Sequence, residues 1–523
     1  MPVSRSVFWI AAAVCTALAG LPLFLVAVPP LVDYPAHLVR MTMLAATPLD
    51  PLLARAWTIE LRPLANLAMD LVVPLIAPLT GPDVGLKLFV TLGLGLWIAG
   101  AGLLGRAVWR EWSVWPLFAA FFAVNGSFFD GYFNYSFGVG LALVTAGCWA
   151  LPRRRGPAVR LLVAGLAVAV MVCHLMAYAV LALILGGLAL GRLSETERDG
   201  RRPGLSDVVA AVIEVAMVLA PAALLWLFVV EHGPGGPTLF RFEQNLLGLV
   251  NQTSAFAGTR HNAAPITLLA AAALLARTTG RLRIARPLLP AAALMLIASL
   301  AVPSEAFGGA GIHARLPAVV AVLALVAVRI EMPAPLGRRL LPGLALVLLA
   351  VVLLAGGLVQ AARWRDGAAT IDRFRAAIRL HLPEGTRLAA SIARPDDVDF
   401  WHVADLAVID RHAFVPTLFA TPGQSPLRLT PAFAPIGAGN AREGGALLFR
   451  VAERHLGPTR VALTAEETPH FRVYRDLACD FDYLALFGPA PPRLPPALHA
   501  VATDPAFALY RIEPAPERGC IPR

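Results

Sequence analysis

An acid, an imidazole and a guanidinium fall close together in Val32-Asp33-Tyr34-Pro35-Ala36-His37-Leu38-Val39-Arg40. A carboxylate can take a proton from a hydroxyl nucleophile. A guanidinium is a permanently charged planar fork that matches a phosphate. If the stretch after Pro35 is helical, His37 and Arg40 stand three residues apart and share a face, with Asp33 in the loop ahead of them. The same aspartate also suits a helix N-cap before a solvated polar face. Spacing alone leaves both readings open.

Further candidates lie elsewhere. Glu60-Leu61-Arg62-Pro63 reads as the opening of an interfacial helix, because proline suits the first helical position. Arg62 would then meet a lipid phosphate at bilayer level, or simply anchor the helix. His174, in Cys173-His174-Leu175-Met176-Ala177, separates two apolar runs. His313 and Arg315, in Gly308-Gly309-Ala310-Gly311-Ile312-His313-Ala314-Arg315, are expected at the same membrane face. Ionisable groups at such depth are functional candidates. The aromatic and polar stretch 125–136 reads as an interfacial belt in preference to a sugar-stacking platform. The amphipathic piece 240–250 would cover a groove for a lipid-linked sugar. Trp401-His402 and Asp410-Arg411-His412 read as fold or acceptor-surface residues. There is no Gly-x-Ser-x-Gly, no P-loop and no spacing for metal ligands, so no zinc site is expected.

These residues need elements to position them, and composition says which kind. Of 523 residues, 58% are hydrophobic and 15% charged, with a mean hydropathy of +0.68. Soluble domains carry about 25% charge. A disordered chain, a collagen-like fibre and a small disulfide scaffold are excluded, and a mainly α polytopic membrane protein remains. The net charge of +10 does not indicate nucleic acid. Lys87 is the one lysine, and the arginines gather in loops between apolar runs. Such arginine bias, with abundant Ala, Gly and Pro, fits a GC-rich bacterial genome.

A span needs about 20 apolar residues. Runs at about 7–28, 85–106, 114–129, 136–151, 159–173, 176–191, 207–230, 264–276, 287–302, 316–329 and 340–361 predict about eleven transmembrane helices, with tight or re-entrant hairpins as the alternative for the pairs 114–151 and 159–191. Ala17-Leu18-Ala19 resembles a signal-peptidase site, yet the apolar run continues past it, so an uncleaved span is expected. The stretch 63–79 carries Pro63, Pro74, Pro78 and Asp70 and reads as an interfacial helix. Residues 1–362 thus form the membrane part. Charges become frequent from Arg363, and residues 363–523 read as a soluble α/β domain. Strands are expected at 386–392, 481–487 and 507–512. Cys15, Cys148 and Cys173 lie in spans, whereas Cys479 and Cys520 lie in the C-terminal part, where an oxidising compartment would permit a disulfide.

The pattern of a first span, an outer loop with an early acid, and an acidic/basic pair before a proline resembles the GT-C membrane glycosyltransferases. Gly81-Pro82-Asp83-Val84-Gly85-Leu86-Lys87, leading into a Gly/Leu-rich span that ends at Gly105-Arg106, adds to the likeness. It is strongest for the branch of protein O-mannosyltransferases and lipid A aminoarabinose transferases, and its specific part lies within 31–110. The resemblance implies a sugar moved, with inversion, from a polyprenyl-phosphate donor to an envelope acceptor on the outer face. It implies that Asp33 acts at the acceptor and that Glu60 and Arg62 occupy the acidic and basic positions before the proline. It also implies a basic residue such as His174 facing the donor phosphate. The pattern departs from the family in having a single Asp33 followed by Tyr34, and Arg62-Pro63 as the basic element. The leaving phosphate needs a cation or a divalent metal ion, and the sequence does not choose between them. The alternative is a non-enzymatic transporter or envelope-assembly scaffold. A transporter is expected to show repeated halves with broken spans meeting at midplane, and no such halves are visible.

Orientation follows from the arginines. With the N-terminus in the cytoplasm of a bacterial inner membrane, eighteen fall on inner loops and six on outer ones, and residues 363–523 are periplasmic. A C-terminal alkaline phosphatase fusion is therefore expected to be active. An inactive phosphatase would remove an odd number of spans from the topology.

Overall fold

The computed structural model describes residues 2–46, 48–151, 156–198, 202–233, 238–258, 262–306, 311–331, 336–393, 395–437, 480–489 and 498–513. Cys479 and Cys520, and with them the expected disulfide, lie outside the described residues. Among the described residues, five helices are long and apolar enough to cross a membrane: Arg5–Phe24, Pro82–Trp109, Leu175–Thr196, Leu205–Phe228 and Leu341–His381. Pro157–Cys173, Ala264–Thr278, Arg286–Ala301 and Ile312–Ala327 are shorter apolar helices. The run at 114–129 is not one helix. It breaks into Trp115–Ala119, Ala120–Ala123 and Gly126–Asp130. The break has a local cause: the Asn125 amide donates to the Phe122 carbonyl while its oxygen accepts from the Phe128 N–H. A side chain that satisfies the backbone in this way offers an alternative to the helical ladder.

Small residues let the helices approach. A Cβ on Gly100 would lie 2.4 Å from Leu143 Cβ, and one on Gly140 would lie 2.6 Å from Leu96 Cβ. These contacts lock Pro82–Trp109 to Phe133–Ala150 by close packing, the way apolar helices associate without a hydrophobic driving force.

The composition change at Arg363 is not a linker. It falls inside a single helix, Leu336–His381, which has 46 residues. No residue near 363 stops a helix, so the change from apolar to charged residues alters the surroundings and not the backbone. The last turns of this helix pack on a four-stranded sheet ordered Leu388–Ile392, Tyr483–Phe487, Phe507–Ile512, Leu498–Asp504. The first pair is parallel and the others antiparallel. Phe374 lies 4.9 Å from the Phe487 ring and 5.4 Å from that of Phe507.

Two N-terminal segments reach this C-terminal part. Trp57–Ile59 pairs antiparallel with Leu427–Leu429, and Glu60 N–H donates to the Pro426 carbonyl. That pairing keeps 57–60 extended, so the expected helix does not open at Pro63. It runs from Ala68 to Thr80. The helix Tyr34–Ala45 is buried along almost its whole length and has no solvated face. Arg40 is held there by Asp70 at 2.8 Å, with side chains 2% and 0% exposed. Its guanidinium thus joins this helix to Ala68–Thr80.

Breaking a buried pair by deleting one partner leaves an uncompensated charge, at a cost of about 3–5 kcal/mol. Arg40→Ala and Asp70→Ala are each expected to lower thermal stability in detergent by that order. The double replacement Arg40→Met with Asp70→Leu should recover most of it. Equal losses in the single and double variants would show that packing, not charge pairing, joins the two helices.

Candidate functional site

The loop after the first helix is tied down before it reaches Asp33. Lys87 Nζ donates to the carbonyls of Val26 at 3.1 Å and Ala27 at 2.8 Å, and pairs with Asp83 at 2.8 Å. The Tyr34 hydroxyl donates to Asp83 Oδ1 at 2.8 Å, and Val32 N–H donates to the Phe129 carbonyl. Asp33 then rests on Gly131, where a Cβ would lie 2.6 Å from Asp33 Cβ. Gly131 also has φ of +86°, in the left-handed region that glycine adopts without strain. Its carbonyl accepts from His37 Nε2 at 2.9 Å. A carbonyl only accepts, so Nε2 carries the hydrogen. Burial, reinforced by Arg40, keeps this imidazole far below its usual pKa and neutral.

Asp33 occupies the N-cap position of Tyr34–Ala45, yet its side chain makes no capping hydrogen bond. It turns toward His402, whose Nε2 lies 3.6 Å from Asp33 Oδ1. With 14% of its side chain exposed, Asp33 is pushed up to about pKa 6. Burial is the main cause, opposed by His402, raised further by Asp130, and opposed again by Arg315 and Arg40. His402 is itself anchored: Nδ1 lies 2.8 Å from Asp405 Oδ2, and the Thr417 hydroxyl donates to Asp405 Oδ1. Burial lowers the His402 pKa, but the Asp405 carboxylate outweighs it and leaves the imidazole above its usual value.

A fixed cation faces the same place. The Arg315 guanidinium lies 4.1 Å from the Tyr132 ring centroid, and Nη1 is 3.2 Å from His174 Nε2. The Tyr135 hydroxyl donates to the Arg315 carbonyl at 2.8 Å. Gly311, with φ of +67°, brings this loop against the Tyr132 hydroxyl. Arg315, Asp130 and Asp33 all act electrostatically on Tyr132. The site is therefore a partly open carboxylate and a stacked guanidinium that share one tyrosine.

Of the residues singled out from sequence, the fold brings Asp33, His37, His174 and Arg315 into this region. His313 is half-buried on the same short turn as Arg315 and feels its charge. Arg40 is taken by Asp70. Glu60 and Arg62 pair with each other at 2.8 Å, with side chains 39% and 58% exposed. Exposed pairs of this kind contribute about 0–1 kcal/mol. The stretch 125–136 is not an exposed aromatic belt: Phe128, Phe129, Phe133 and Tyr135 are buried. Sequence reasoning missed His402, Asp405 and Tyr132 as site residues. Trp401-His402 was conspicuous, but nothing in the sequence joins it to Asp33. Among the described residues, no group of three or more His, Cys, Asp or Glu side chains converges as metal ligands would.

No described protein family and no curated protein matches this chain in sequence. Among solved structures, the chain is similar to ArnT. The crystal structure of ArnT from Cupriavidus metallidurans in the apo state gives a TM-score of 0.48 at 14% identity, covering 97% of this chain and 98% of that one. The crystal structure of the same protein bound to undecaprenyl phosphate gives 0.46, with the same identity and coverage.

Gly131 provides the test of how the site is held. Gly131→Ala adds a Cβ against Asp33 and costs about 1–2 kcal/mol for the left-handed backbone alone. It is expected to destabilise the protein in detergent. Gly156→Ala, where nothing lies within 4 Å, should melt as wild type does. Equal melting of both variants would show that the Asp33–Gly131 contact does not constrain the loop.

Proposed function

We propose that this chain is an integral membrane glycosyltransferase. It transfers a sugar from a polyprenyl-phosphate donor to an envelope acceptor on the outer face of a bacterial inner membrane. One observation carries the reading: a carboxylate poised near neutral pH and a fixed guanidinium occupy one polar site in a chain built of apolar helices. Transfer from a lipid phosphate needs both. The acceptor hydroxyl attacks the anomeric carbon as the bond to the phosphate oxygen breaks. Its proton passes to Asp33, and the departing phosphate keeps the bonding electrons. The phosphate gains one negative charge, which Arg315 meets with a cation already held in place by Tyr132 and His174. A preorganised charge of this kind stabilises the transition state because it needs no rearrangement at the moment of reaction. His313 lies beside this cation, and Arg62 and Glu60 would lie at the rim.

The transporter or scaffold reading requires neither residue to take part in chemistry. Polar clustering at one end of the apolar helices, instead of at their middle, favours the enzyme.

Asp33→Asn keeps the size of the side chain and removes the proton acceptor. Transfer in membranes supplied with a polyprenyl-phosphate sugar is expected to fall about 10²–10⁴-fold, the usual contribution of a positioned base. Transfer by the wild type should fall as pH drops through about 6, where Asp33 takes up a proton. Arg315→Ala should weaken donor use while insertion into the membrane stays normal. Wild-type transfer by Asp33→Asn would remove the catalytic assignment.

A further inference from the structure

We propose that His402 is a positioning residue for Asp33, so that the C-terminal part of the chain completes the site by supplying a buried, carboxylate-anchored imidazole that keeps the Asp33 carboxylate ionised and oriented. The inference rests on the reading of Asp33 as the base. Its ground is a line of contacts that joins Asp33 to the distant segment 402–417: Asp33 Oδ1 to His402 Nε2 at 3.6 Å, His402 Nδ1 to Asp405 Oδ2 at 2.8 Å, and Asp405 Oδ1 to the Thr417 hydroxyl. The side chains of His402 and Asp405 are 4% and 0% exposed.

The bonding order is dictated from the buried end. Thr417 donates to Asp405, so Asp405 accepts there as a carboxylate, and its other oxygen accepts from His402. His402 Nδ1 therefore carries a hydrogen in either charge state. The remaining nitrogen, Nε2, has Asp33 before it. Phe419, with its ring centroid 4.6 Å from that of His402, closes one face of the imidazole. A histidine fixed in this way has one variable left, a proton on Nε2, and that proton lies between it and Asp33. When Nε2 is protonated the imidazolium stabilises the Asp33 carboxylate.

The groups around the pair set the balance. Asp130, from the helix Gly126–Asp130, disfavours charge on Asp33, while Arg315 and Arg40 favour it. Asp405 and Asp33 favour charge on His402. His37, from Tyr34–Ala45, is neutral and feels His402. Tyr132, under the Arg315 guanidinium, keeps its proton, its pKa raised by burial and then by Asp130. His402 thus opposes the burial that raises the Asp33 pKa.

Two variants separate the contacts of the imidazole. His402→Asn keeps a donor near the Nδ1 position for Asp405 and removes Nε2. His402→Gln keeps a polar atom near Asp33 and removes the charge. Both are to be assayed for transfer as a function of pH in membranes supplied with a polyprenyl-phosphate sugar, at matched insertion, with Asp33→Asn alongside. An opposite charge at this range lowers a carboxyl pKa by about one unit or more. The acid limb of transfer is therefore expected to move up by about one pH unit in both variants, with about a fivefold loss at pH 6 and recovery at higher pH. The limb belongs to the coupled pair and not to Asp33 alone. A purely structural histidine would lower activity at all pH values without moving the limb. If Asp33→Asn abolishes transfer while both His402 variants keep the wild-type limb, the role of His402 is overturned and the glycosyltransferase reading stands. If Asp33→Asn transfers normally, that reading falls and the role of His402 falls with it. Should His402→Asn fail to insert, His402→Gln alone decides by the same limb. Should both fail, Asp405→Asn decides: it removes the charge that holds the imidazole protonated, and an unmoved limb there overturns the proposal.

Discussion

A carboxylate taken out of water has to be compensated or give up its charge. The site region is organised around that constraint at Asp33. Burial pushes its pKa to about 6, and cations from separate elements oppose the push: His402 from the C-terminal part, Arg315 from the turn before a late apolar helix, and Arg40 from its own helix. If any of these moved away, the carboxylate would hold its proton more tightly and would be ionised less often for its proposed role as a base. The positions of these elements and the chemistry of the site are therefore one problem.

The scaffold meets that problem with buried polar ties. Lys87 caps the carbonyls of Val26 and Ala27, Tyr34 reaches Asp83, and Arg40 reaches Asp70. Each tie satisfies a group that would be costly to leave alone in an apolar setting, and each fixes the segment 25–45 against a long helix or its neighbour. Gly131 adds a steric limit, because only a residue without Cβ permits the Asp33 backbone to come so close. The result is a short stretch of chain with little freedom, carrying one carboxylate that is neither a cap nor a partner in a strong ion pair.

The bearing of this on mechanism is a division of labour. The guanidinium of Arg315 is stacked on Tyr132, which in the proposed reaction suits a fixed charge facing the departing phosphate. The imidazole of His402 is anchored from behind by Asp405, which suits a charge that answers the state of one neighbour. The two cations approach Asp33 from different parts of the chain. Only a folded chain that unites its apolar helices with its C-terminal sheet holds both.

The amino-acid sequence by itself determined that the chain is built of apolar helices, because that property is additive along each run and survives any tertiary arrangement. It pointed to strands at 386–392, 481–487 and 507–512, which form at Leu388–Ile392, Tyr483–Phe487 and Phe507–Ile512, and it singled out Asp33, His174 and Arg315 as ionisable groups at the ends of apolar runs. At Asp33, only the tertiary structure shows that the side chain makes no capping hydrogen bond and lies beside His402. A cap and a functional carboxylate share backbone and spacing and differ in where one side chain turns, which depends on His402, far away in the chain. Tertiary structure also decided against readings that local pattern favoured. The run at 114–129 breaks because Asn125 bonds its own backbone, and the helix expected at Pro63 is displaced because 57–60 finds a strand partner at 426–429. Arg40 looked free to meet a ligand until Asp70 was brought to it. Hydrophobic patterning is a sum over neighbours in sequence, whereas the charge state and direction of a buried polar group are set by neighbours in space.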